Sequence, residues 1–175
     1  MITKWLNVPM LNFEPVEEHI SYLCIQFKIF NITIISVHAS SVDKDGTVRS
    51  SFYDTLVRVY QTHPKHDALI VMGDMNTKVG EESLTPCTGK YRLYKISNYN
   101  VEKLCGFSTC REFVTVIAMF PLKNIHLQTW ISRDWETFNQ IELIIISRRY
   151  PPNITDIKSL RSSDFDSDHF MIIKI

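Results

Sequence analysis

The segment Ala68-Leu-Ile-Val-Met72 is an unbroken apolar run that stops at Gly73-Asp74-Met75-Asn76. Side chains of an extended chain alternate between faces, so an uninterrupted apolar strand calls for cover on both sides. The chain around it supplies further strands. From His19 to Ile29, Leu23, Ile25, Phe27 and Ile29 alternate with Cys24, Gln26 and Lys28, the period of a strand with one buried face. Asn31 punctuates, and a second strand runs over Ile32–Val37 and ends at His38. A polar loop from Ser40 to Gly46 leads into a helix carrying Val48, Phe52, Leu56 and Val59 at three- and four-residue spacing, which Pro64 stops. A weaker helix spans about 101–113, with Leu104, Phe107 and Cys110 on one side and Gly106 weakening it. Val114–Met119, Leu127–Ser132, Ile141–Ile146 and Phe170–Ile175 have strand character. The expected fold is a mixed α/β layered domain with two sheets packed face to face.

At 175 residues the chain is one unit of ordinary domain size. Its 45% hydrophobic content exceeds what a disordered chain carries, and 5 glycines exclude a collagen-like repeat. Lys+Arg and Asp+Glu both number 19, so no global positive field draws the chain to nucleic acid. An anionic substrate must be held locally or through a metal. Cys24, Cys87, Cys105 and Cys110 form no CxxC pair and read as free thiols in a reducing compartment. No apolar run reaches the roughly 18 residues of a membrane helix. Met1–Phe13 lacks a signal-peptide pattern, so the sequons at Asn31 and Asn153 read as accidental. The expected location is intracellular, nucleus or cytoplasm, without secretion or membrane contact.

The polar residues collect at strand ends: His38, Asp74 with Asn76, Glu142, and Asp168-His169. In packed sheets such positions converge on one rim, where catalytic groups commonly lie. Each has an ordinary alternative. Gly-Asp-x-Asn alone is a turn, a histidine at a strand end is most often a rim residue, and Ser167-Asp168-His169 can simply cap a strand. Glu142 resists that reading, because an ionised carboxylate within Gln140-Ile-Glu-Leu-Ile-Ile-Ile146 needs a partner. His169 and His38 are both candidates. The resulting chemistry is carboxylates Asp74 and Asp168 for a hard divalent cation, Asn76 to orient, and histidines to move protons.

Val37-His38-Ala39, Gly73-Asp74-Met75-Asn76, Thr129-Trp130, Asn139-Gln140-Ile141-Glu142 and Ser167-Asp168-His169-Phe170, in that order, resemble the endonuclease/exonuclease/phosphatase superfamily. Within it the chain looks most like the endonuclease domain of RTE-type non-LTR retrotransposons and their craniofacial-development-protein-2-like relatives. Leu11-Asn-Phe-Glu-Pro15, Lys78-Val79-Gly80 and Phe120-Pro-Leu-Lys-Asn-Ile-His126 add support, and the resemblance runs from about Leu11 to the C-terminus. It implies a four-layered α/β/β/α sandwich that cleaves phosphodiesters with Mg²⁺ or Mn²⁺, here as a single partial domain over 1–175 that lacks the family's first strands. By motif, Asp74 and Asn76 align the attacking water and hold a phosphate oxygen, and Asp168 binds the metal or its water shell. His169 is general base or transition-state stabiliser, oriented by Glu142, and His38 assists the leaving oxygen. The implied substrate is DNA, with RNA or a smaller phosphoester as alternatives.

The departures from the pattern carry expectations of their own. The family's early metal-binding Glu is missing, since Glu14, Glu17 and Glu18 precede the first expected strand and lack its context. Glu142 stands where relatives carry Asp, and its extra methylene should crowd His169. Asn98-Tyr-Asn-Val101 replaces Asn-Asp-Asn-Gly, Leu122 replaces a His, and Ser40 replaces a Pro. Together they point to a truncated copy with impaired metal affinity, or to an inactive retrotransposon-derived remnant or binding module. Missing strands would leave exposed sheet edges able to self-associate. Tyr91, Tyr94 and Tyr99 lie in a long loop that either approaches a substrate or is pinned to the domain, and Arg148-Arg149 read as solvated surface.

Overall fold

The structure is a computed structural model and describes residues 9–40, 45–81, 88–149, 157–160 and 167–174. Cys87 and Asn153 lie outside the described residues. Three strands open the chain, β1 (Met10–Glu17), β2 (Ile20–Ile25) and β3 (Ile32–His38). Helix α1 (Gly46–Thr62) then leads to β4 (Ala68–Asp74). Helix α2 (Asn100–Thr109), β5 (Phe113–Thr115), a 3₁₀ turn (Ile117–Met119) and the short α3 (Asn124–Leu127) follow. The chain continues through β6 (Trp130–Ile131), β7 (Phe138–Asn139), β8 (Glu142–Ser147), β9 (Ile157–Leu160) and β10 (Met171–Lys174). The main sheet has the order β1-β2-β3-β4-β8-β5, antiparallel throughout except for β3 and β4. Those two are parallel and α1 is their crossover, as parallel neighbours require.

Two small antiparallel ladders, β6-β7 and β9-β10, stand apart from the main sheet. A bridge between Trp130 and His169 ties the first to the entry of β10. Its backbone bonds run from Ile131 N to Asp168 O at 2.9 Å and from Phe170 N to Thr129 O at 2.8 Å.

Helix α1 starts at Asp45, whose carboxylate accepts from Thr47 N at 3.4 Å and Thr47 Oγ1 at 2.9 Å. It ends at His63, which is extended because Pro64 follows. Its Phe52, Leu56 and Val59 are buried against Ile35, Val37, Leu69, Val71, Leu143 and Ile145 of the central strands. Leu104 and Phe107 of α2 join the same core, where Phe107 stacks on Phe113 at 5.6 Å and Tyr60 meets Phe113 edge-on at 5.8 Å. The opposite face of the central strands carries Ile34, Ile70, Met72 and Ile144, which are only half-buried. The apolar run of β4 is therefore fully covered on its helical side, and on the other side Ala68 is buried while Ile70 and Met72 are half-buried. Among the described residues no helix is long and apolar enough to cross a membrane.

Several boundaries differ from the sequence expectation, each for a local reason. β1 is a strand that hydrophobic patterning does not reveal, because an edge strand buries little: Met10, Leu11 and Phe13 are all more than half exposed. Glu14 and Glu17 thus belong to a strand and do not precede the first one. Glu14 accepts from Tyr22 OH, and Glu17 pairs with Arg58 at 3.0 Å on the helical side of the sheet. β2 ends at Ile25, where Gln26 N turns to Pro9 O, so Ile29 is 90% exposed although it continues the alternation. The stretch 114–119 splits into β5 and the 3₁₀ turn as Met119 N bonds Val116 O. Leu127 closes α3, so the strand expected over 127–132 begins at Trp130. Helix α2 stops at Thr109 and leaves Cys110 exposed.

The burial of α1 is directional and can be tested. Leu56, fully enclosed, truncated to Ala should lose about 2–5 kcal/mol of stability. Val48, 47% exposed, truncated to Ala should stay within about 0.5 kcal/mol of the parent. Urea midpoints at unchanged m-value measure both.

Candidate active site

Strand register alone brings three of the site residues side by side. His38 pairs with Asp74 across β3 and β4, and Asp74 pairs with Glu142 across β4 and β8. Residues in register share a face, so the three form one row at the end of the sheet. The preceding row explains how the strands come so close. Gly73 sits opposite Val37 at φ 137°, and a Cβ there would lie 2.0 Å from the Val37 carbonyl oxygen. Only glycine fits that approach.

Immediately beyond the row the chain is locked into a turn. Asn76 has φ 45°, in the left-handed region, and its N–H donates to Asp74 Oδ1 at 2.7 Å. Its side-chain Nδ2 donates to Ala39 O at 2.7 Å. The carbonyl of Asn76 accepts from Asn98 Nδ2 and Asn100 Nδ2, both at 2.9 Å. The two asparagines of Asn98-Tyr-Asn-Val101 therefore perform a definite structural task, and the altered Tyr99 and Val101 leave it intact. Tyr99 is exposed and packs under Arg49, at 4.8 Å from its guanidinium carbon.

The β6–β10 bridge brings the second half of the site to the first. His169 Nδ1 is in direct contact with Glu142 Oε1, so the choice between His169 and His38 as the partner of Glu142 falls to His169. The Glu142 carboxylate presses directly on the histidine, while Glu142 Oε2 has no hydrogen-bond partner. Thr129 Oγ1 holds the start of β8 by accepting from Ile141 N at 3.0 Å and Glu142 N at 3.1 Å. Asp168 sits at the rim, 48% exposed, with Oδ1 at 3.7 Å from His169 Nε2 and Oδ2 accepting from Trp130 Nε1 at 3.1 Å. His38 Nε2 lies 3.9 Å from Asp74 Oδ2. His38, Asp74, Asn76 and His169 line one open cleft of about 350 Å³.

Burial sets the electrostatics. Desolvation pushes the Asp74 carboxyl above its ordinary value, against the Asn76 N–H and the neighbouring His38 and His169. Desolvation likewise raises Glu142, against its hydrogen bonds to Thr129 and His169. Each half-buried carboxylate thus has an imidazole beside it.

Lys78, Asn98, Trp130, Asn139 and Ile141 also line the cleft. Lys78 and Asn139 were legible only as members of motifs; the loop after β4 brings Lys78 to the wall, and strand β7 brings Asn139. Tyr94 settles how that loop is held: its hydroxyl donates to Asn139 Oδ1 at 3.0 Å and accepts from Gln140 N at 2.6 Å. It is pinned to the domain. Among the described residues no three His, Cys, Asp or Glu side chains converge closely enough to cage a metal ion. Glu142 Oε1 is engaged by His169 and Asp168 Oδ2 by Trp130, so the described carboxylates leave few free oxygens toward the near-octahedral set that Mg²⁺ asks for.

No protein-family model matches the chain. It is 30% identical over 148 residues to craniofacial development protein 2 of Bos taurus, covering 85% of this chain and 25% of that protein. The same protein of Tragulus javanicus is 30% identical over 151 residues, covering 86% and 26%. The structure superposes on the endonuclease domain of TRAS1, a telomere-specific non-LTR retrotransposon, with TM-score 0.67 at 16% identity, over 97% of this chain and 67% of that one. The chain has the endonuclease/exonuclease/phosphatase fold and is similar in sequence to craniofacial development protein 2. Humanized D. rerio TDP2 shares that fold with TM-score 0.66 at 14% identity, over 95% of this chain and 66% of that one. So does the 3′ phosphatase NExo from Neisseria, bound to product DNA hairpin, with TM-score 0.66 at 12% identity over 96% and 71%. The chain spans about a quarter of the length of the curated relatives it matches.

The raised carboxyls give a signed pH dependence. A carboxyl that holds its proton more tightly when folded than when unfolded makes stability fall as pH rises, from the ordinary carboxylate value up through the folded one. Asp74→Asn removes one such group, so the loss of stability across that window should be smaller in the variant than in the parent. Urea titrations at several pH values measure the difference, and an identical slope in both would contradict the desolvation.

Proposed function

We propose that this domain is a nuclease-type phosphodiester hydrolase of the DNA endonuclease kind. The observation that carries the reading is the convergence of His38, Asp74, Asn76 and His169 on one cleft, with Glu142 against His169 Nδ1. Nδ1–H of His169 donates to Glu142, which leaves Nε2 free to take a proton from the attacking water. Asp168, 3.7 Å from that nitrogen, favours the imidazolium that forms. Asp74 orients the water, with its own carboxylate held by the Asn76 N–H. The Asn76 amide is fixed on Ala39 and offers its remaining N–H to a phosphate oxygen. His38, exposed on the cleft wall beside Asp74, protonates the leaving oxygen. Because the described carboxylates do not assemble a cation cage, no step is assigned to a metal.

DNA as substrate is supported by relatives of the same fold, NExo bound to product DNA hairpin and D. rerio TDP2 complexed with single strand DNA product. A nucleic-acid-binding module without turnover is the second reading, and the absence of three converging ligands among the described residues favours it.

Nicking of supercoiled plasmid, with and without Mg²⁺, decides between them. The hydrolase reading expects nicking that Asp74→Ala and His169→Ala each reduce by about a hundredfold or more. Plasmid retention without nicking selects the binding module. Nicking that survives both substitutions is a contaminant's and removes the assignment.

A further inference from the structure

The cleft that the proposed function uses is lined by the Asp74 carboxylate, with Glu142 and Asp168 close behind it against His169, and a phosphodiester brought there adds another negative charge. Some permanent positive charge has to offset it, and the chain's net charge is zero. Among the described residues the cleft wall contains one lysine and no arginine, and that lysine is Lys78.

The position of Lys78 is built. Its N–H donates to Asn98 Oδ1 at 3.1 Å, and its carbonyl accepts from Asn98 N at 3.0 Å. Thr77 and Val79 on either side are buried, and Thr77 Oγ1 donates to Met75 O at 2.7 Å. The backbone is therefore held at both flanks while the side chain is displayed at the cleft. The ammonium lies over the ring of Tyr94, 5.6 Å from its centroid, the same Tyr94 whose hydroxyl is fixed by Asn139 and Gln140. Among the described residues no carboxylate forms an ion pair with it. A cation resting on an aromatic face keeps its charge and gives up little when a better anion arrives. A buried ion pair would have had to be broken first.

We infer that Lys78, seated on Tyr94, is the phosphate-holding residue of this cleft, so that the domain binds a nucleic-acid backbone without a divalent cation. The inference rests on the proposed function for the identity of the cleft and adds to it the group that grips the substrate. A lysine contact to phosphate is a point-charge contact with no base preference, so the binding it supports is indifferent to sequence.

Fluorescence anisotropy of a labelled single-stranded DNA oligonucleotide, titrated with protein in EDTA at several salt concentrations, tests it. The parent should bind, and Lys78→Ala should weaken binding about tenfold and lower the salt slope by about 0.7, the value for one lost phosphate contact on a single strand. Lys78→Arg should restore most of both. Equal affinity and slope in the parent and Lys78→Ala overturn the inference, as does a parent that binds only when Mg²⁺ is added. The plasmid assay separates the two claims. Mg²⁺-supported nicking with no binding in EDTA sinks this inference and keeps the hydrolase. Binding lost in Lys78→Ala with no nicking under any condition keeps this inference and sinks the hydrolase. The side chain of Lys78 makes no hydrogen bond within the described structure, so Lys78→Ala should keep the parent's urea midpoint.

Discussion

The pairing of β4 with β3 on one side and β8 on the other is the constraint on which the site depends. It places His38, Asp74 and Glu142 in one row on one face. A slip of one residue would turn Asp74 toward the helical core, where Val71, Leu143 and Ile145 are buried, and would leave a carboxylate without water or partner. The apolar residues of the helical face thereby hold the polar row in place, because any other register would bury charge and expose Ile35 and Val71. Gly73 contributes from within the ladder by letting the strands approach where a side chain would collide with Val37.

Electrostatics then follow from depth. The row sits where the sheet leaves the core, deep enough for desolvation to raise both Asp74 and Glu142 and shallow enough for histidines to reach them. Each carboxylate has an imidazole from a different part of the chain, His38 for Asp74 and His169 for Glu142. Positive charge of permanent kind comes from a third element, the loop after Asn76. A protein with no net charge can in this way present a local environment suited to an anion.

The turn after β4 is held from the entry of α2. Asn98 and Asn100 keep the carbonyl of Asn76 satisfied, while Tyr99 between them faces solvent and Arg49. Glu142 differs from the expected aspartate yet still meets His169, since the contact is made by the bridge that docks β10 rather than by side-chain length alone. That the fold is shared with a retrotransposon endonuclease domain and a phosphatase at 16% and 12% identity fits a scaffold specified mainly by its burial pattern.

Much of this was legible in one dimension. The apolar run of β4 and its terminating Gly-Asp-x-Asn, the three- and four-residue spacing of α1 stopped by Pro64, and the costly glutamate in an apolar strand all follow from local chemistry. They pointed to Asp74, Asn76 and Glu142, while His38, Asp168 and His169 were proposed from their places at strand ends and from the family resemblance. What the chain's order of residues could not express was any element whose identity depends on a neighbour: the exposed edge strand β1, the two-residue β6 and β7, and the end of β2, where alternation runs on past the last hydrogen bond. The partner of Glu142, the pinning of Tyr94 and the seat of Lys78 were likewise settled only by the fold. Each is a contact between segments far apart in sequence, and periodicity records which residues want burial or a partner, not which partner arrives.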